Sequence, residues 1–472
     1  MTTKLLVQEK PAIYKVLQAI RTVRLGDVAQ SMKNGIYKSK DAYADDGIAC
    51  LRMYNIGDGR IVWRDIKRMS LSEQERIEYG LEPGDLLVNR VNSRELVGKT
   101  ALVTTGIERS VFESKNIRVR LDRSLVEPAY VNYALLAMGR AHFNQNAQQV
   151  VGMASVSQPQ VAAFQFLLRP VAQQREVVAY LDEQLSRLDA SVAALHRVQA
   201  NLKRYRASVL KSACEGRLVP TEAELARQEG RDFETGEQLL QRILASRRTR
   251  WCGKSKYKEP SAAEHGDLTL AVGWTWATVE QLSALVQYGS SAKTGDASDD
   301  AVPVFRMGNI VDGEFDVSKL KYLPAAHAEF PELLLRSGDL LFNRTNSPEL
   351  VGKSAVYRGT PQKASFASYL IRVRAAPEFN IEYLALVINS AFGRNWIKSV
   401  VTQQVGQANV NGSKLQALSI PLPPLAEQHR IVAEAERRLS LIRVAEAQVA
   451  ANLARAQRLR QSILQAAFAG PG

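Results

Sequence analysis

Two long stretches of the chain have apolar residues three or four positions apart and contain neither glycine nor proline. They are residues 172–213 and residues 426–468. This spacing places the apolar side chains along one face of a helix and is typical of a coiled coil. A helix of about 40 residues spans ~60 Å, and its apolar stripe needs a partner. We predict that the two helices are partners within one chain.

The predicted seam between the helices consists of the apolar residues that keep this spacing. They are Leu181, Leu185, Leu188, Leu195 and Leu202 in the first helix, and Leu439, Ile442, Val449 and Leu453 in the second. A coiled coil between two copies of the chain would use the same seam, and the sequence leaves that alternative open.

The segments before the long helices mix two periodicities. Strand-like runs occur at residues 85–89 (DLLVN), 100–104 (TALVT) and 116–121 (NIRVRL), the last with alternating apolar and polar residues. Residues 128–138 begin with proline and continue with helical spacing. Strands and helices mixed in this way predict an α+β domain.

Most of the chain is one unit present twice, at an offset of 254 residues. Residues 84–103 (GDLLVNRVNSRELVGKTALV) return as residues 338–357 (GDLLFNRTNSPELVGKSAVY), with 14 of 20 positions identical. A period of this length indicates duplicated domains, because solenoid repeats run to roughly 20–50 residues. The duplication gives the halves a pseudo-twofold relation, which favours antiparallel pairing of the long helices.

The repeat and the helical stretches together predict the domain organisation. Residues 1–170 and 274–422 are two homologous domains, residues 171–216 and 423–472 are the two long helices, and residues 217–273 are a linker with short helices. The predicted fold is therefore α+β, with two homologous domains joined by two long antiparallel coiled-coil helices.

Composition narrows the class of protein. A net charge of +14 favours a polyanion as partner, because each phosphate contact releases counterions. A basic protein without a nucleic-acid role remains the alternative at this point.

The sequence contains no run of about 18 apolar residues that could span a bilayer, so no membrane association is expected. The first ten residues lack the apolar core of a signal peptide, and the cysteines at positions 50, 214 and 252 lie far apart, which predicts a cytoplasmic protein.

Motifs for catalysis are missing from the sequence. Residues 98–100 and 352–354 match the Gly-Lys-Ser/Thr that closes a P-loop motif. Ser93 and Ser347, however, occupy the positions where the motif needs its first glycine. There is no HExxH, no Cys/His cluster and no GxSxG. The Asn/Asp-Pro-Pro-Tyr/Phe tetrapeptide of enzymes that methylate an amino base is also missing. We predict no catalytic residue and no metal site, although scattered carboxylates do not exclude a nuclease.

Two kinds of segment suit DNA binding. Residues 89–93 and 343–347 carry Asn and Arg where a strand enters a loop, and these side chains can contact bases or phosphates. The alternative is that these segments form a purely structural hairpin. Because the two segments are nearly identical, we favour a role in positioning phosphates over a role in reading bases. Residues 33–41 and 287–295 occupy equivalent positions but share only a glycine, so different sequences would be read there.

The predicted DNA contacts come from these loops and from the lysines that follow the shared segments. They are Lys33, Tyr37, Lys38, Lys40, Asn89, Arg90, Asn92 and Lys99 in the first half, and Tyr288, Lys293, Asn343, Arg344, Asn346 and Lys353 in the second.

The order of these segments resembles the specificity subunit of type I restriction–modification systems. Each variable domain has a GDLLxNR block and is followed by residues that enter a long helix, PVAQQ at 170–174 and PLAEQ at 424–428. The stretches CEGRLVP at 214–220 and AFAG at 467–470 look like the helix exits of that family. The resemblance covers nearly the whole chain, and the first half departs from the usual Glu-Gln only at Gln173.

The resemblance implies a division of labour between this chain and its partners. Each variable domain would be a target recognition domain that reads one half of a split site in double-stranded DNA. The paired helices and their seam would set the gap and dock two methyltransferase subunits, which bind S-adenosylmethionine and methylate adenine. Motor-nuclease subunits would use ATP and Mg to translocate and cleave DNA.

This chain would itself be non-catalytic and hold no cofactor. The alternatives are a DNA methyltransferase or nuclease with its own catalytic site, and a coiled-coil structural adaptor.

Overall fold

The computed structural model of the protein describes residues 20–150, 152–253, 256–266, 268–404 and 407–469. The chain divides into two compact units. Unit 1 comprises residues 1–196 and 450–472, and unit 2 comprises residues 197–449. Each unit therefore combines one part of the chain that precedes a long helix with segments of both long helices.

Unit 1 contains an α+β domain built from short strands. The strands are β1 (Arg21–Arg24), β2 (Ala29–Asn34), β3 (Tyr43–Leu51), β4 (Gly59–Arg60), β5 (Lys67–Met69), β6 (Leu86–Asn89), β7 (Val91–Asn92), β8 (Thr100–Leu102), β9 (Ser110–Phe112), β10 (Asn116–Leu121), β11 (Gln148–Val150), β12 (Met153–Ser155) and β13 (Gln165–Leu168). The helices are α1 (Glu73–Tyr79), α2 (Pro128–Ala134), α3 (Arg140–Asn146) and α4 (Gln158–Ala162), and a π-helical segment, Leu135–Gly139, joins α2 to α3.

The strands of unit 1 form a central sheet with smaller sheets around it. The central order is β2-β10-β6-β8-β4, in which β10 is antiparallel to both β2 and β6. The three strand-like runs predicted from the sequence are β6, β8 and β10, so these predictions are confirmed. The helix predicted at residues 128–138 begins at Pro128, where the missing N–H costs no hydrogen bond.

After this domain the chain forms a long helix and then two short ones. These are α5 (Val171–Cys214), α6 (Glu222–Glu229) and α7 (Gly236–Thr249). Both short helices begin at a threonine whose side chain accepts a backbone N–H three residues later, and Thr221 and Thr235 each form a capping box. Unit 1 contains the first part of α5, and unit 2 contains its last part together with α6 and α7.

Unit 2 repeats the order of elements of unit 1. Its strands are β14 (Thr275–Thr278), β15 (Ser283–Tyr288), β16 (Val302–Phe305), β17 (Ile310–Val311), β18 (Glu314–Phe315), β19 (Lys321–Leu323), β20 (Asp339–Asn343), β21 (Thr345–Asn346), β22 (Ser354–Tyr357), β23 (Ser365–Phe366), β24 (Leu370–Ala375), β25 (Thr402–Gln404), β26 (Gln407–Asn409) and β27 (Ser419–Leu422). The helices are α8 (Val279–Leu282), α9 (Ile381–Asn389), α10 (Ala391–Val400), α11 (Gly412–Ala417) and the second long helix α12 (Leu425–Phe468).

The 254-residue offset holds at the level of single elements. Strand β1 maps onto β14, β10 onto β24 and β13 onto β27, each without a shift, and α5 maps onto α12 in the same way. The central sheet of unit 2 has the order β15-β24-β20-β22. This is the order of the equivalent strands of unit 1, β2-β10-β6-β8. The predicted internal repeat is therefore present in the fold.

The two long helices are antiparallel in each unit. In unit 1, Leu181 and Leu185 near the start of α5 share a core with Leu464 and Phe468 at the end of α12. In unit 2 the opposite ends meet, since Val209 and Ala213 near the end of α5 share a core with Ile431 and Ala435 near the start of α12. The predicted antiparallel arrangement is confirmed.

Burial along the predicted seam is uneven. Leu181, Leu185, Ile442 and Val449 are buried, whereas Leu188, Leu195, Leu202, Leu439 and Leu453 are only half-buried. The half-buried members leave apolar surface along the helices.

Candidate nucleic-acid interface

The repeated GDLL block is held in place by a buried carboxylate. Asp85 is 1% exposed and accepts two hydrogen bonds from Arg120 of the neighbouring strand, at 2.9 and 3.0 Å. Asp339 and Arg374 repeat the contact in unit 2, at 2.7 Å for both bonds. Paired donors on a buried carboxylate satisfy a charge that would otherwise be costly. The block therefore positions the loop that follows it.

The glycine of the repeated Gly-Lys pair is required by close packing. Gly98 has a φ of +80°, and a Cβ there would lie 2.2 Å from Phe143. Gly352 has a φ of +83°, and a Cβ there would lie 2.1 Å from Ile397. These glycines let a left-handed turn approach a helix, so their role is structural.

Lys99 and Lys353, which follow these glycines, line cavities beside the long helices. The cavity at Lys99 has a volume of about 990 Å³ and is also lined by Gln461 of α12. The cavity at Lys353 has a volume of about 210 Å³ and is also lined by Arg206 of α5. Neither lysine lines the concave surface that includes the described residues of the first variable loop, and their role as DNA contacts stays a prediction.

Asn89 and Asn92 belong to a buried amide network. The Asn89 side chain donates to the Lys115 carbonyl and to the Asn116 side chain, both at 3.1 Å. Its oxygen accepts from Asn92 at 2.8 Å, and the Asn92 oxygen accepts from the backbone N–H of Ser93. Asn89 is 0% and Asn92 8% exposed. Their prediction as DNA contacts is corrected, because they satisfy the turn, as in the structural alternative.

The equivalent asparagines of unit 2 are arranged differently. Asn343 is 0% exposed and donates one long bond of 3.3 Å to the Met307 carbonyl, and its side-chain oxygen has no partner within the described part of the chain. Asn346 is half-buried and accepts from the backbone N–H of Ser347 at 2.8 Å. The prediction of Asn343 as a DNA contact is therefore also corrected, because its side chain is buried. The side chain of Asn346 is partly exposed.

Hydrogen bonds join the loops of unit 1 into one surface. The backbone of Ile36 in the variable loop exchanges bonds of 2.9 Å with the segment 112–114. Lys115 at the end of that turn accepts from the backbone N–H of Arg90 at 2.8 Å. The backbone N–H of Met53 donates to the Glu113 carboxylate at 2.7 Å. The variable loop, the shared loop and the segment 52–55 therefore form one contiguous loop cluster.

A concave cationic surface lies in this loop cluster. Its volume is about 520 Å³, and its lining includes the cations Lys38, Arg52, Lys67 and Lys115 and one acid, Glu113. A concave surface rich in cations concentrates anionic ligands such as a phosphate backbone. The sequence analysis did not select Arg52, Lys67 or Lys115. A signal existed for Arg52, because residues 51–59 (LRMYNIGDG) return as residues 305–313 (FRMGNIVDG), which places Arg306 at the equivalent position.

The side chains predicted as DNA contacts in the first variable loop differ in their exposure and in their ion pairs. Tyr37 is 84% exposed. Lys38 forms an ion pair of 2.6 Å with Glu75, and this bond lowers the pKa of the Glu75 carboxyl. Lys33 forms an ion pair with Glu78 and lies over the ring of Tyr79. The side chain of Lys40 lies outside the described part of the chain.

In unit 2 the predicted residues Tyr288 and Arg344 lie against each other. The Arg344 guanidinium is 4.9 Å from the centre of the Tyr288 ring, and the Tyr288 hydroxyl accepts from the backbone N–H of Gly412 at 2.6 Å. The backbone of Arg344 is held by the Tyr369 carbonyl and the Val410 N–H. Arg344 is thus a half-buried, preoriented cation, consistent with an anchor.

Other side chains of unit 2 are more exposed. Lys293 and Arg306 are exposed, and Tyr369 is 49% exposed. Tyr369 lies at the position equivalent to Lys115 of unit 1, so the same scaffold presents different chemistry in the two units. Arg90, the equivalent of Arg344, is also half-buried, but the position of Tyr288 is taken by Asn34 and no ring lies there.

Two arginines, one in the last turn of α7 and one directly after it, contact other parts of unit 2. Arg247 donates to the carbonyl of Glu280 at 2.9 Å, and Arg250 pairs with Glu378 at 3.2 Å.

Burial raises the pKa of the Cys50 and Cys214 thiols to about 12, which disfavours the nucleophilic thiolate. Over the described residues, no group of His, Cys, Asp and Glu side chains could hold a metal ion. The helices described here include none long and apolar enough to cross a membrane.

Comparison with known sequences supports the resemblance found from the motifs. Residues 279–435 match the family described as type I restriction modification DNA specificity domain. The type I restriction enzyme EcoKI specificity subunit of Escherichia coli strain K12 is 24% identical over 446 residues, which cover 92% of this chain and 85% of that protein. The StySPI specificity subunit of Salmonella potsdam is 23% identical over 476 residues, which cover 97% of this chain and 90% of that protein.

A solved structure shares the fold. Its title describes complex assembly and conformational transition of the type I R-M system, and the match covers 96% of this chain and 98% of that chain. The TM-score is 0.62 at 19% sequence identity. This likeness concerns the arrangement of the backbone.

Proposed function

Since the chain belongs to the family of type I restriction–modification specificity subunits, we propose that it reads a bipartite, asymmetric site in double-stranded DNA. Each unit contributes one recognition surface, and partner subunits carry out methylation of adenine or ATP-dependent cleavage. The observation that carries the proposal is the presence of the same loop cluster twice, on one scaffold, with different side chains.

The two classes of loop residue suit two tasks. The backbones of Arg90 and Arg344 are fixed by equivalent hydrogen bonds, to the carbonyls of Lys115 and Tyr369. An arginine whose backbone is placed alike in both units favours contacts with phosphates, which carry no sequence information. The side chains that differ are candidates for base contacts, with Tyr37 in unit 1 and Lys293 in unit 2 as the exposed examples.

The cationic surface of unit 1 supports a DNA backbone as ligand. Arg52, Lys67 and Lys115 line the same concave surface as one carboxylate, Glu113, and the chain as a whole has a net charge of +14. Each cation that neutralises a phosphate releases counterions, so affinity should fall steeply with salt. Replacing all three by alanine should weaken binding to every sequence and flatten that dependence.

The proposal gives this chain no catalytic step. S-adenosylmethionine would be bound by two methyltransferase subunits, and ATP and Mg by motor-nuclease subunits. The half-exposed parts of the helix seam, including Leu188 and Leu195, are available for docking the methyltransferase subunits. A complex that acts on host DNA would work in the cytoplasm.

Mapping of methylated adenines tests the proposal. The chain would be expressed with its methyltransferase partner in a host without other adenine methylation, and the modified motif read from genomic DNA. We expect two different half-sites about one helical turn, ~10 bp, apart centre to centre. A single continuous palindrome, or methylation by the chain without its partner, would contradict the proposal.

Exchange of one domain sharpens the test. Strands β1 and β13 end at positions equivalent to those of β14 and β27, so residues 21–168 can be replaced by residues 275–422 without changing the length of the chain. The modified chain should recognise the second half-site twice, as an inverted repeat. The reverse replacement is the matched control and should give the first half-site twice. Retention of the original asymmetric motif by either chain would rule out the assignment of one half-site to each unit.

A further inference from the structure

Each recognition domain presents a charged residue to the long helix that follows it in the chain. Domain 1, residues 21–168, presents Arg60 from β4, and domain 2, residues 275–422, presents Glu314 from β18. These two residues occupy equivalent positions, 254 residues apart. The glycine before each has a positive φ angle, +81° in unit 1 and +85° in unit 2, so the same turn places both side chains. The two domains therefore carry opposite charges at one place on a common scaffold.

The charge of the helix residue that meets this position is reversed as well. Arg60 donates from Nη2 to Oδ2 of Asp189 in α5 at 2.8 Å. In unit 2 the helix supplies the arginine, since Arg443 of α12 donates from Nη1 to Oε1 of Glu314 at 3.2 Å. Asp189 and Arg443 are also equivalent positions. An ion pair thus forms in both units, with donor and acceptor exchanged between domain and helix.

Each ion pair is part of a larger network. Asp189 also accepts a hydrogen bond from Arg460 of α12, which places two arginines on one carboxylate. Glu314 also lies 3.7 Å from Arg358 of its own domain, and Arg358 reaches Glu436 of α12 at 2.7 Å. A single exposed ion pair contributes little to stability, whereas connected charges contribute more. The difference between the units therefore resides in two networks and not in one isolated pair.

A second contact between domain and helix keeps its sign in both units. Asp182 of α5 and Glu436 of α12 occupy equivalent positions, and both are acids. Asp182 accepts from the hydroxyl of Tyr133, and Glu436 pairs with Arg358. Each domain thus supplies a donor to an acid here, and an acid on the helix suits either domain. Of these two contacts, only the reversed pair distinguishes one domain from the other.

Docking of a domain on the helix of the other unit would place like charges together. Domain 1 on α12 would bring Arg60 against Arg443, and Arg206 lines the same cavity as Arg443. Domain 2 on α5 would bring Glu314 against Asp189. Like charges that face each other across a contact are unfavourable and exclude the wrong partner. The observed arrangement, with domain 1 on α5 and domain 2 on α12, satisfies both networks.

We propose that the reversed ion pair makes each recognition domain specific for one long helix. Arg60 with Asp189, and Glu314 with Arg443, are positioning residues that keep the two domains from exchanging places, within one chain or between two copies of it. The inference rests on the proposed function, because a chain that reads an asymmetric site needs each domain in its own place. It adds that contacts between domain and helix, as well as chain connectivity, fix the order of the half-sites.

Transfer of the α12 charges to α5 tests the inference in the purified full chain. The transfer is Asp189→Arg together with Val192→Glu. The second change is included because Glu446, the equivalent of Val192, pairs with Arg206 of the opposite helix at 2.7 Å. In the natural chain the transfer puts an arginine beside Arg60, so hydrogen exchange of the backbone amides around residue 60 should become roughly threefold faster.

A chain in which residues 275–422 replace residues 21–168 should respond with the opposite sign. The same two substitutions there meet Glu314 of the transplanted domain, so hydrogen exchange of the equivalent amides should become roughly threefold slower. General damage by the substitutions would instead act in the same direction in both chains. A change in the same direction in the natural and the domain-replaced chain would overturn the inference.

A charge reversal within the natural chain gives a test that needs no replaced domain. Addition of Arg60→Glu to Asp189→Arg and Val192→Glu rebuilds the pair with the polarity of unit 2 and should return hydrogen exchange to the wild-type rate. Glu183→Arg is the matched control, because Glu183 of α5 pairs with Arg187 of the same helix at 2.6 Å and should act alike under either domain. Failure of Arg60→Glu to restore the rate would also overturn the inference.

These measurements use neither DNA nor a methyltransferase, so they separate the inference from the proposed function. A wild-type complex that methylates a single continuous palindrome would refute the proposed function, whatever the rates of hydrogen exchange. Rates that do not change sign between the two chains would refute the inference, even where the methylated motif is asymmetric. The two failures are therefore distinguishable.

Discussion

Asn89 and Asn343 occupy the same position in the two units, yet their side chains have different surroundings. Asn89 makes hydrogen bonds with Lys115, Asn116 and Asn92, whereas Asn343 makes one long bond to Met307. The backbone bonds that place the following arginine are nevertheless the same in both units. The scaffold is thus preserved by backbone pairing and the Asp–Arg contact, while the network around it varies with the neighbouring loops.

A second pair of equivalent positions shows where the units differ in assembly. Gln174 and Gln428 both fasten a long helix to the domain before it, by accepting from the backbone N–H of Glu127 and of Asn380. The neighbouring positions differ in residue type, since Glu427 accepts from the backbone N–H of Glu222 and its equivalent in unit 1 is Gln173. The attachment of each domain to its helix is therefore common to both units, and the carboxylate beside it is particular to unit 2.

The largest effect should follow from removing the buried carboxylate of the scaffold. Asp339→Ala leaves Arg374 without its two bonds and should destabilise unit 2 by about 3–5 kcal/mol, as expected for a broken buried ion pair. Asp85→Ala should cost less, because Arg120 also pairs with Glu82 at 3.1 Å. Hydrogen exchange of the strand amides in each unit would measure both effects. Equal losses in the two units would contradict the comparison, and the exposed Asp299→Ala is the control.

The next effect is a pH dependence confined to unit 2. Burial raises the pKa of the Glu427 carboxyl to about 7, above its ordinary value, although the N–H groups of Glu222 and Trp274 and the charge of Arg430 oppose the shift. The folded state therefore keeps a proton that the unfolded state loses. The stabilisation is fully present below about pH 4 and is lost as the pH rises to about 7, with a magnitude of about 3 kcal/mol.

The measurement for this effect is unfolding of the wild type and Glu427→Gln between pH 5 and 8. The stability of the wild type relative to the variant should fall with rising pH. Gln173→Glu, at the half-buried equivalent position of unit 1, is the matched control and should leave the slope unchanged. If the stability of Glu427→Gln still falls with rising pH, the group that titrates is a different one.

The asparagine pair should give a smaller difference. Asn89→Ala leaves Asn92, Asn116 and the Lys115 carbonyl with lost bonds and should destabilise unit 1 by about 1–2 kcal/mol. Asn343→Ala removes one long bond of 3.3 Å and an unsatisfied oxygen, so its cost should stay below about 1 kcal/mol. Thermal unfolding of the two variants compares them. A changed DNA preference in Asn89→Ala would restore this residue as a base contact.

Much of the fold could be predicted because its signals are local or repeated. The long helices followed from apolar spacing over more than 40 residues, and the offset of 254 residues located the duplicated domain without any structure. The seam was harder, since Leu464 and Phe468 at the end of α12 are buried against the domain of unit 1. Periodicity shows which face of a helix is apolar, and it does not show which neighbour covers that face.

The candidate interface was less predictable than the fold. Asn, Arg and Lys in a loop suit both turns and nucleic acids, and only burial separates Asn89 from Arg90. Lys115 and Arg52 lie far apart in the sequence, and they line one concave surface together with Glu113 because contacts of long range join the loops. Neither periodicity nor spacing reports such contacts, although the repeated Arg52 and Arg306 were available as a signal.

The smallest effect, in DNA binding, separates anchors from readers. Arg344→Ala should weaken binding to cognate and variant duplexes alike and lower the slope of affinity against salt by about one phosphate contact, because an arginine whose backbone is placed alike in both units suits the DNA backbone. Arg90→Ala should act in the same way on the first half-site. Removal of a base reader would instead cost ~1–3 kcal/mol at a single base position.

Tyr288 provides the matched test of this difference between the units. Its ring holds the Arg344 guanidinium at 4.9 Å, and the equivalent position of unit 1 is Asn34, which offers no ring to Arg90. Tyr288→Ala should therefore reproduce part of the Arg344→Ala loss, and Asn34→Ala should have no such effect on the first half-site. Titrations of the reconstituted complex at two salt concentrations, with single-base variants of each half-site, measure all four chains. If Arg344→Ala relaxes one base position while the salt slope stays constant, the arginine reads a base, and the shared loop is a recognition element in unit 2 alone.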